Sequence, residues 1–283
     1  MASNKIVFFL IGILLIVLGL SMLAPYSMQV LYKENSHSFI SSSFVTIFIG
    51  ILCVLANLEK DFKLNLRQTF LFSSLAWIMV ATFGSLPFLL STQNFSFSEA
   101  FFESMSGITT TGSTIITNLN ETPKAILLWR GMLQWLGGIG IIVMAITLMP
   151  IMNIGGMQLF LISNTHTLEK ILPKSKEISF RLIYVYAILT LVCAVFYKIF
   201  GMNFFDSIVH SMTTIATGGF SNYNESIGYF NSSLIEITSI IFIILGSIPF
   251  ISYIKYLNGD RKIFLNDLQI KTFIKITFFS III

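Results

Sequence analysis

Two short stretches of this chain carry residues suited to holding a dehydrated cation. One is Thr109-Thr110-Thr111-Gly112; the other is Ala216-Thr217-Gly218-Gly219. Glycine adopts positive φ without steric penalty, so a Thr/Gly turn can aim successive carbonyl oxygens to one side. Threonine hydroxyls can add oxygen ligands or hold the turn. The chemistry is coordination rather than bond making, with fixed backbone oxygens standing in for a cation's hydration shell. Nothing in the chain resembles a paired-carboxylate, zinc or Ser/His/Asp arrangement.

The elements around these turns are written twice. Residues 96–114 (SFSEAFFESMSGITTTGST) and 203–221 (NFFDSIVHSMTTIATGGFS) align without gaps. They match at Phe97/Phe204, Ser104/Ser211, Met105/Met212, Ile108/Ile215, Thr110/Thr217 and Gly112/Gly219. Each copy reads as a short half-apolar helix running into the turn. Ser96-x-x-Glu99 fits a capping box, and Asn203-x-x-Asp206 fits the same scheme with a shorter acid. Both half-helices then direct their negative dipole ends at the turn. A lone Thr-Gly turn would read as a surface loop after an ordinary helix. Two in register, each between long apolar segments, read as re-entrant loops, because non-helical backbone at membrane depth must line something wet or ionic.

The chain is 55% hydrophobic and 11% charged, too apolar for a soluble domain of 283 residues. Apolar runs of span length occur at 6–24, 39–56, 69–90, 125–151, 180–200 and 234–254, and a last one begins near Leu268. The expected class is an all-α polytopic membrane protein in a lipid bilayer. The first run follows Lys5 as a signal peptide would. It exceeds the apolar core of about 7–15 residues such peptides have, and no small-x-small cleavage site follows. Cys53 and Cys193 lie inside expected spans and read as apolar filler.

The net charge of +4 could suggest nucleic acid, but its distribution excludes that. With a cytoplasmic amino terminus and two re-entrant loops, Lys5, Lys60, Lys63, Arg67, Lys170, Lys174, Lys176, Arg181, Lys255, Arg261, Lys262, Lys271 and Lys275 fall inside. Only Lys33, Lys124, Arg130 and Lys198 fall outside. This bias follows the positive-inside rule. Full crossings in place of the loops would scramble it.

Four segments result. Residues 1–67 form a leading transmembrane hairpin and cytoplasmic linker, and 68–152 a first helix–pore-loop–helix unit. Residues 153–254 hold a cytoplasmic linker and a second unit, and 255–283 a linker and the start of a third. The final span has barely begun at Ile283, which reads as the amino-terminal part of a longer protein, since two units cannot close a ring around an ion. Glu103 and His210 occupy equivalent positions late in the half-helices. They could relay a proton; the preferred reading is that each braces its turn. Gly137-Gly138-Ile139-Gly140 lies inside an apolar helix and reads as a close helix contact, not a nucleotide loop. Arg130 is expected to snorkel to the outer interface. Trp77, Trp129 and Trp135 read as interface or packing residues.

At FFESMSGITTTGST (101–114), LLWRGMLQWLGGIGIIVMAI (127–146), HSMTTIATGGFS (210–221) and the following Asn224-Glu225-Ser226-Ile227-Gly228, the chain resembles the Trk/Ktr/HKT superfamily of potassium transporters. It resembles the TrkH-type membrane subunits in particular; the two leading spans are absent from the KtrB type. The resemblance covers nearly the whole chain. It implies helix–pore-loop–helix units in a K⁺-channel-like pseudo-fourfold fold, incomplete here. It implies a selectivity filter at Thr109, Thr110, Thr111, Gly112, Ala216, Thr217, Gly218 and Gly219. K⁺ would meet Thr110, Thr111, Gly112, Thr217, Gly218 and Gly219, with Gly112 and Gly219 as the first two filter glycines. Glycine at the first of these is similar to K⁺-selective members, whereas serine marks Na⁺-conducting relatives. The resemblance also implies K⁺ as the transported ion and no cofactor in this chain. It implies a homodimer of the full-length protein, a TrkA-like cytoplasmic nucleotide-binding regulatory subunit, and a place in the bacterial inner membrane. The third and fourth units, with the family's gating loop and pore-guarding basic residue, are missing. Two alternatives remain at this point: a membrane-embedded enzyme using Glu103 and His210, and a non-conducting fragment that needs a carboxy-terminal half.

Overall fold

The computed structural model describes residues 4–34, 36–58, 64–152 and 171–282. Among them there is no strand. Linker residues 59–63 and 153–170, with Lys60, Lys63 and Lys170, lie outside the described residues.

The leading hairpin is α1 (Lys5–Ser21), α2 (Leu23–Leu31) and α3 (Ser38–Ala56). α1 and α3 cross on glycine. A Cβ on Gly12 would come within 2.7 Å of the Gly50 carbonyl oxygen, and one on Gly50 within 2.8 Å of Gly12 O. Only bare backbones can approach this closely. Ser43 Oγ donates to Gly19 O at 2.7 Å two turns away. Beyond the apolar run 6–24 the chain is still helix as far as Leu31. Pro25 sits in the first turn of α2, where a backbone N–H has no helical partner to lose.

The first unit runs α4 (Leu66–Gly84), α5 (Leu86–Leu89), α6 (Phe97–Ile108) and α7 (Lys124–Met152). The second runs α8 (Ile171–Ile199), α9 (Phe204–Ile215), α10 (Ser233–Ser247) and α11 (Phe250–Leu257). α12 (Ile263–Asn266) and α13 (Leu268–Ile282) follow. At 12 residues each, α6 and α9 reach about 18 Å, well short of a bilayer core.

Five described helices are long and apolar enough to cross a membrane: Lys5–Leu31, Ser38–Ala56, Leu66–Leu89, Lys124–Ile142 and Glu177–Ile199. The expected span at 234–254 is instead broken. α10 and α11 bend by 83°. Ile248, with ψ 137°, leaves the helix directly before Pro249, because proline clashes with a helical residue ahead of it. The last expected span is the 15-residue α13.

Apolar residues face both ways. Val7, Ile11, Leu15, Phe39, Trp129 and Leu133 fill a core shared by the hairpin and the first unit. Tyr186, Tyr197, Phe242 and Phe250 fill a second one. Phe44, Leu55, Phe180, Leu191 and Leu234 lie on the outside. Such a surface suits hydrocarbon rather than water; this is a multi-pass helical membrane protein.

Candidate ion-binding site

α6 and α9 begin as their sequences direct. The Ser96 side chain accepts from Glu99 N, and the Ser96 N–H donates to Glu99 Oε2 at 2.8 Å, completing a capping box. Asn203 Oδ1 accepts from Asp206 N at 2.8 Å. There the likeness stops, and the expectation of a second capping box is corrected. The shorter Asp206 carboxylate turns away from the Asn203 backbone, accepting from Asn222 Nδ2 and from the Tyr223 hydroxyl, each at 2.7 Å. Buried Asp206 thus holds the chain that leaves the second turn.

Both half-helices end in the same way. Thr110 N donates to Gly107 O and Thr111 N to Ser106 O; Thr217 N donates to Thr214 O and Gly218 N to Thr213 O. This 5→2 and 6→1 pair is a Schellman end, which requires a left-handed residue, usually glycine. Here the residue is threonine, with φ 56° at Thr110 and 53° at Thr217. A β-branched residue pays about 1–2 kcal/mol for that conformation, and such strain concentrates at functional sites. Two residues on, Gly112 has φ 80° and Gly219 φ 78°. The sign of φ therefore alternates along 110–113 and along 217–220, unlike the uniformly negative φ of a strand.

Thr111, Thr217 and Gly219 are exposed, Thr109, Thr110 and Gly112 half-buried, and Ala216 and Gly218 buried. Thr109 Oγ1 donates back to Met105 O at 2.7 Å and lies 2.8 Å from Thr111 Oγ1. The turns meet each other: a Cβ on Gly112 would come within 2.0 Å of Gly218 O. Gly218 is needed from behind as well, since its Cβ would fall 2.4 Å from Gln134 Cδ.

α7 seats both turns. A Cβ on Gly137 would stand 1.9 Å from Ile108 O, and one on Gly138 3.2 Å from the Ala216 Cβ. In the second unit Gly246 of α10 receives Ile215 O in the same fashion, at 2.7 Å. Gly137-Gly138 is thus the close contact read from the sequence, and it reaches both half-helices. Trp129 and Trp135 are packing residues whose indoles donate to Gly84 O and Thr190 Oγ1.

Behind the turns lie the groups the sequence placed late in each half-helix. Glu103, fully buried, accepts from Thr114 Oγ1 at 2.9 Å and from Ile115 N at 3.1 Å. His210 does the equivalent with different chemistry. Its Nδ1 lies 2.9 Å from the Asp206 carbonyl and its Nε2 3.0 Å from Ser221 Oγ. A carbonyl only accepts, so Nδ1 carries the proton, and Nε2 shares a hydrogen bond with the Ser221 hydroxyl. Thr114 and Ser221 stand at matching places in the repeat. Both groups brace.

Arg130 departs from expectation. It does not snorkel; it is 1% exposed. Its Nε donates to Glu103 Oε1 at 2.7 Å and its Nη1 to Ser221 O at 2.8 Å, and its guanidinium lies 4.1 Å from the Phe220 ring centre. A fully desolvated cation costs several kcal/mol unless paired, and Glu103 supplies the pair. Gln134 was also missed: its Oε1 accepts from Phe220 N at 3.1 Å. Helix periodicity held a signal, since Arg130, Gln134 and Gly137 recur at i, i+4 and i+7 and share one face. Asn224 joins the units, accepting from Leu119 N at 3.0 Å.

With this geometry in view, likeness to known proteins is specific. The TrkH family, described as a cation transport protein, matches residues 35–282. The Trk system potassium uptake protein TrkH of Vibrio parahaemolyticus is 39% identical over 94% of this chain and 56% of its own length. TrkH of Escherichia coli is 36% identical over 97% of this chain and 58% of its own, and TrkG of Escherichia coli 33% over 99% and 59%. The crystal structure of the potassium transporter TrkH from Vibrio parahaemolyticus superposes with a TM-score of 0.87 at 37% identity, over 97% of this chain and 56% of that one. The chain spans a little over half the length of these relatives. It belongs to the TrkH family of cation transport proteins, transporters rather than enzymes.

Proposed function

We propose that this chain forms part of the ion path of a Trk-type system that takes up K⁺ across a bacterial inner membrane. The ions pass a filter of backbone carbonyls at Thr109, Thr110, Thr111, Gly112, Ala216, Thr217, Gly218 and Gly219. The observation that carries this reading is the duplicated backbone: left-handed Thr110 and Gly112 in one turn, left-handed Thr217 and Gly219 in the other, with Gly112 against the Gly218 carbonyl. Carbonyl rings of this kind replace the hydration shell of K⁺. The names of the relatives, potassium uptake proteins of Trk systems, favour the same ion. The basic inner segments favour a cytoplasmic amino terminus. In this reading the whole protein is a homodimer that works with a TrkA-like cytoplasmic nucleotide-binding subunit. An inside-negative potential supplies about 2.3 kcal/mol per charge per 100 mV, enough for roughly fiftyfold accumulation at about 1.4 kcal/mol per tenfold.

The test is Gly112→Ser in the whole protein, read as the ratio of K⁺ to Na⁺ uptake in cells lacking other K⁺ uptake. Serine adds a side chain where a Cβ has 2.0 Å to Gly218 O, so the turns must part and K⁺ preference falls. An unchanged ratio at normal membrane levels removes the filter assignment.

A further inference from the structure

The chain leaving the first turn is held by Glu103, through Thr114 and Ile115. The chain leaving the second is held from the first unit, by Arg130 on Ser221 O and Phe220 and by Gln134 on Phe220 N. Since Glu103 and Arg130 are paired at 2.7 Å, one buried line of contacts runs from Ile115 to Ser221. Each anchor lies one to three residues past the glycine of its turn.

Among the described residues the second unit carries no such device. Gly137 and Gly246 receive the equivalent carbonyls of Ile108 and Ile215, so counting back along each helix sets Arg130 against Ser239 and Gln134 against Ile243. Ser239 Oγ is spent on the Tyr197 hydroxyl and Ile235 O. Ser239 and Ile243 line a cavity of about 270 Å³ together with His210, Thr217 and Gly218. The tie is therefore no generic feature of the repeat. Among the described residues it runs from the first unit to the second turn.

We propose that Arg130 is a positioning residue that sets the spacing of the two turns, and through it the choice of ion. The inference rests on the filter reading above. Its chemistry needs a guanidinium. Nε and Nη1 point to two acceptors in different units while the flat face covers Phe220, a geometry an ammonium cannot reproduce. Two charge-assisted bonds and a desolvated ring contact are among the stronger fixings a backbone can have.

The experiment compares Arg130→Lys, Glu103→Gln and Gly112→Ser in the whole protein, measuring K⁺ and Na⁺ uptake together with the amount of folded protein in the membrane. Lysine keeps the charge and one bond but loses the second arm. We expect the K⁺/Na⁺ ratio to fall about tenfold in Arg130→Lys and several-fold in Glu103→Gln. A brace that served only folding would lower the amount of protein and leave the ratio alone. If Gly112→Ser shifts the ratio and Arg130→Lys does not, the positioning role is overturned. If Gly112→Ser itself has no effect, it is the filter reading that fails. Should Arg130→Lys not reach the membrane, Phe220→Leu and Glu103→Gln carry the same expectation, and unchanged ratios in both overturn it.

Discussion

Adding one methyl group to α7 should have opposite effects at two positions three residues apart. At Gly137 a Cβ would lie 1.9 Å from Ile108 O, whereas ordinary contact begins at 3.4 Å. The obstacle is a backbone carbonyl at the end of α6 and cannot rotate aside. A gap of about 1.5 Å must open between the two helices, and overpacking of this kind costs about 1–3 kcal/mol, sometimes more. At Gly140 a Cβ meets nothing within 4 Å. There alanine brings only its better helix propensity, up to about 1 kcal/mol. Both glycines lie in α7 and share that gain, so Gly137→Ala and Gly140→Ala should differ by the overpacking cost, about 1–3 kcal/mol. At about 2–4 °C per kcal/mol that is a separation on the order of 2–12 °C in the midpoint of thermal unfolding in detergent. Gly246→Ala, whose Cβ would stand 2.7 Å from Ile215 O, should fall between them. Ion uptake adds a second readout, because Ile108 lies two residues before Thr110 and a displaced half-helix carries the turn with it. Gly137→Ala should lose more uptake than protein. Equal midpoints for Gly137→Ala and Gly140→Ala would refute the close approach of α7 to α6, and with it the seat of the first turn.

Two further outcomes follow from the caps. Asp206→Asn keeps the shape but turns one acceptor into a donor facing Asn222 Nδ2 and the Tyr223 hydroxyl; a cost of about 1–3 kcal/mol should appear as faster backbone hydrogen exchange over 220–224, and unaltered exchange there would show that the carboxylate does not hold the segment. Glu99 is held below its ordinary pKa of 4.5, first by the Ser96 backbone N–H and then by the Ser96 hydroxyl. Its folded value being the lower one, its stabilisation is present above pH 4.5 and is lost as the pH falls through the folded value. The difference in unfolding midpoint between Glu99→Gln and the native chain should therefore shrink under acid, and a difference that stays constant down to about pH 3, below the reference carboxylate pKa, would mean the cap works without its charge.

The sequence by itself determined what is local. Hydropathy located the long apolar helices, because a span is a property of some twenty consecutive side chains, but not all their ends: helix runs on to Leu31 past residue 24, and α8 begins at Ile171 instead of residue 180. The repeat located both turns, and Ser96 and Asn203 marked where α6 and α9 begin, because a cap is completed within four residues. That Glu103 and His210 brace was legible from their matching places. The tertiary structure alone decided what depends on residues far apart in the chain. Arg130 looked like an interfacial anchor until α9 brought Ser221, 91 positions on, to its guanidinium. Asp206 fits a capping box as a string, but its side chain is shorter than glutamate's, and Asn222 and Tyr223 offered it better partners. Pro249 was visible in the sequence, yet the 83° turn of α10 into α11 also needed somewhere for α11 to pack, with its Phe250 against Tyr186 of α8. Local propensity chooses where a helix starts and stops; whether a charge in it meets lipid, water or another charge is settled only when the helices assemble.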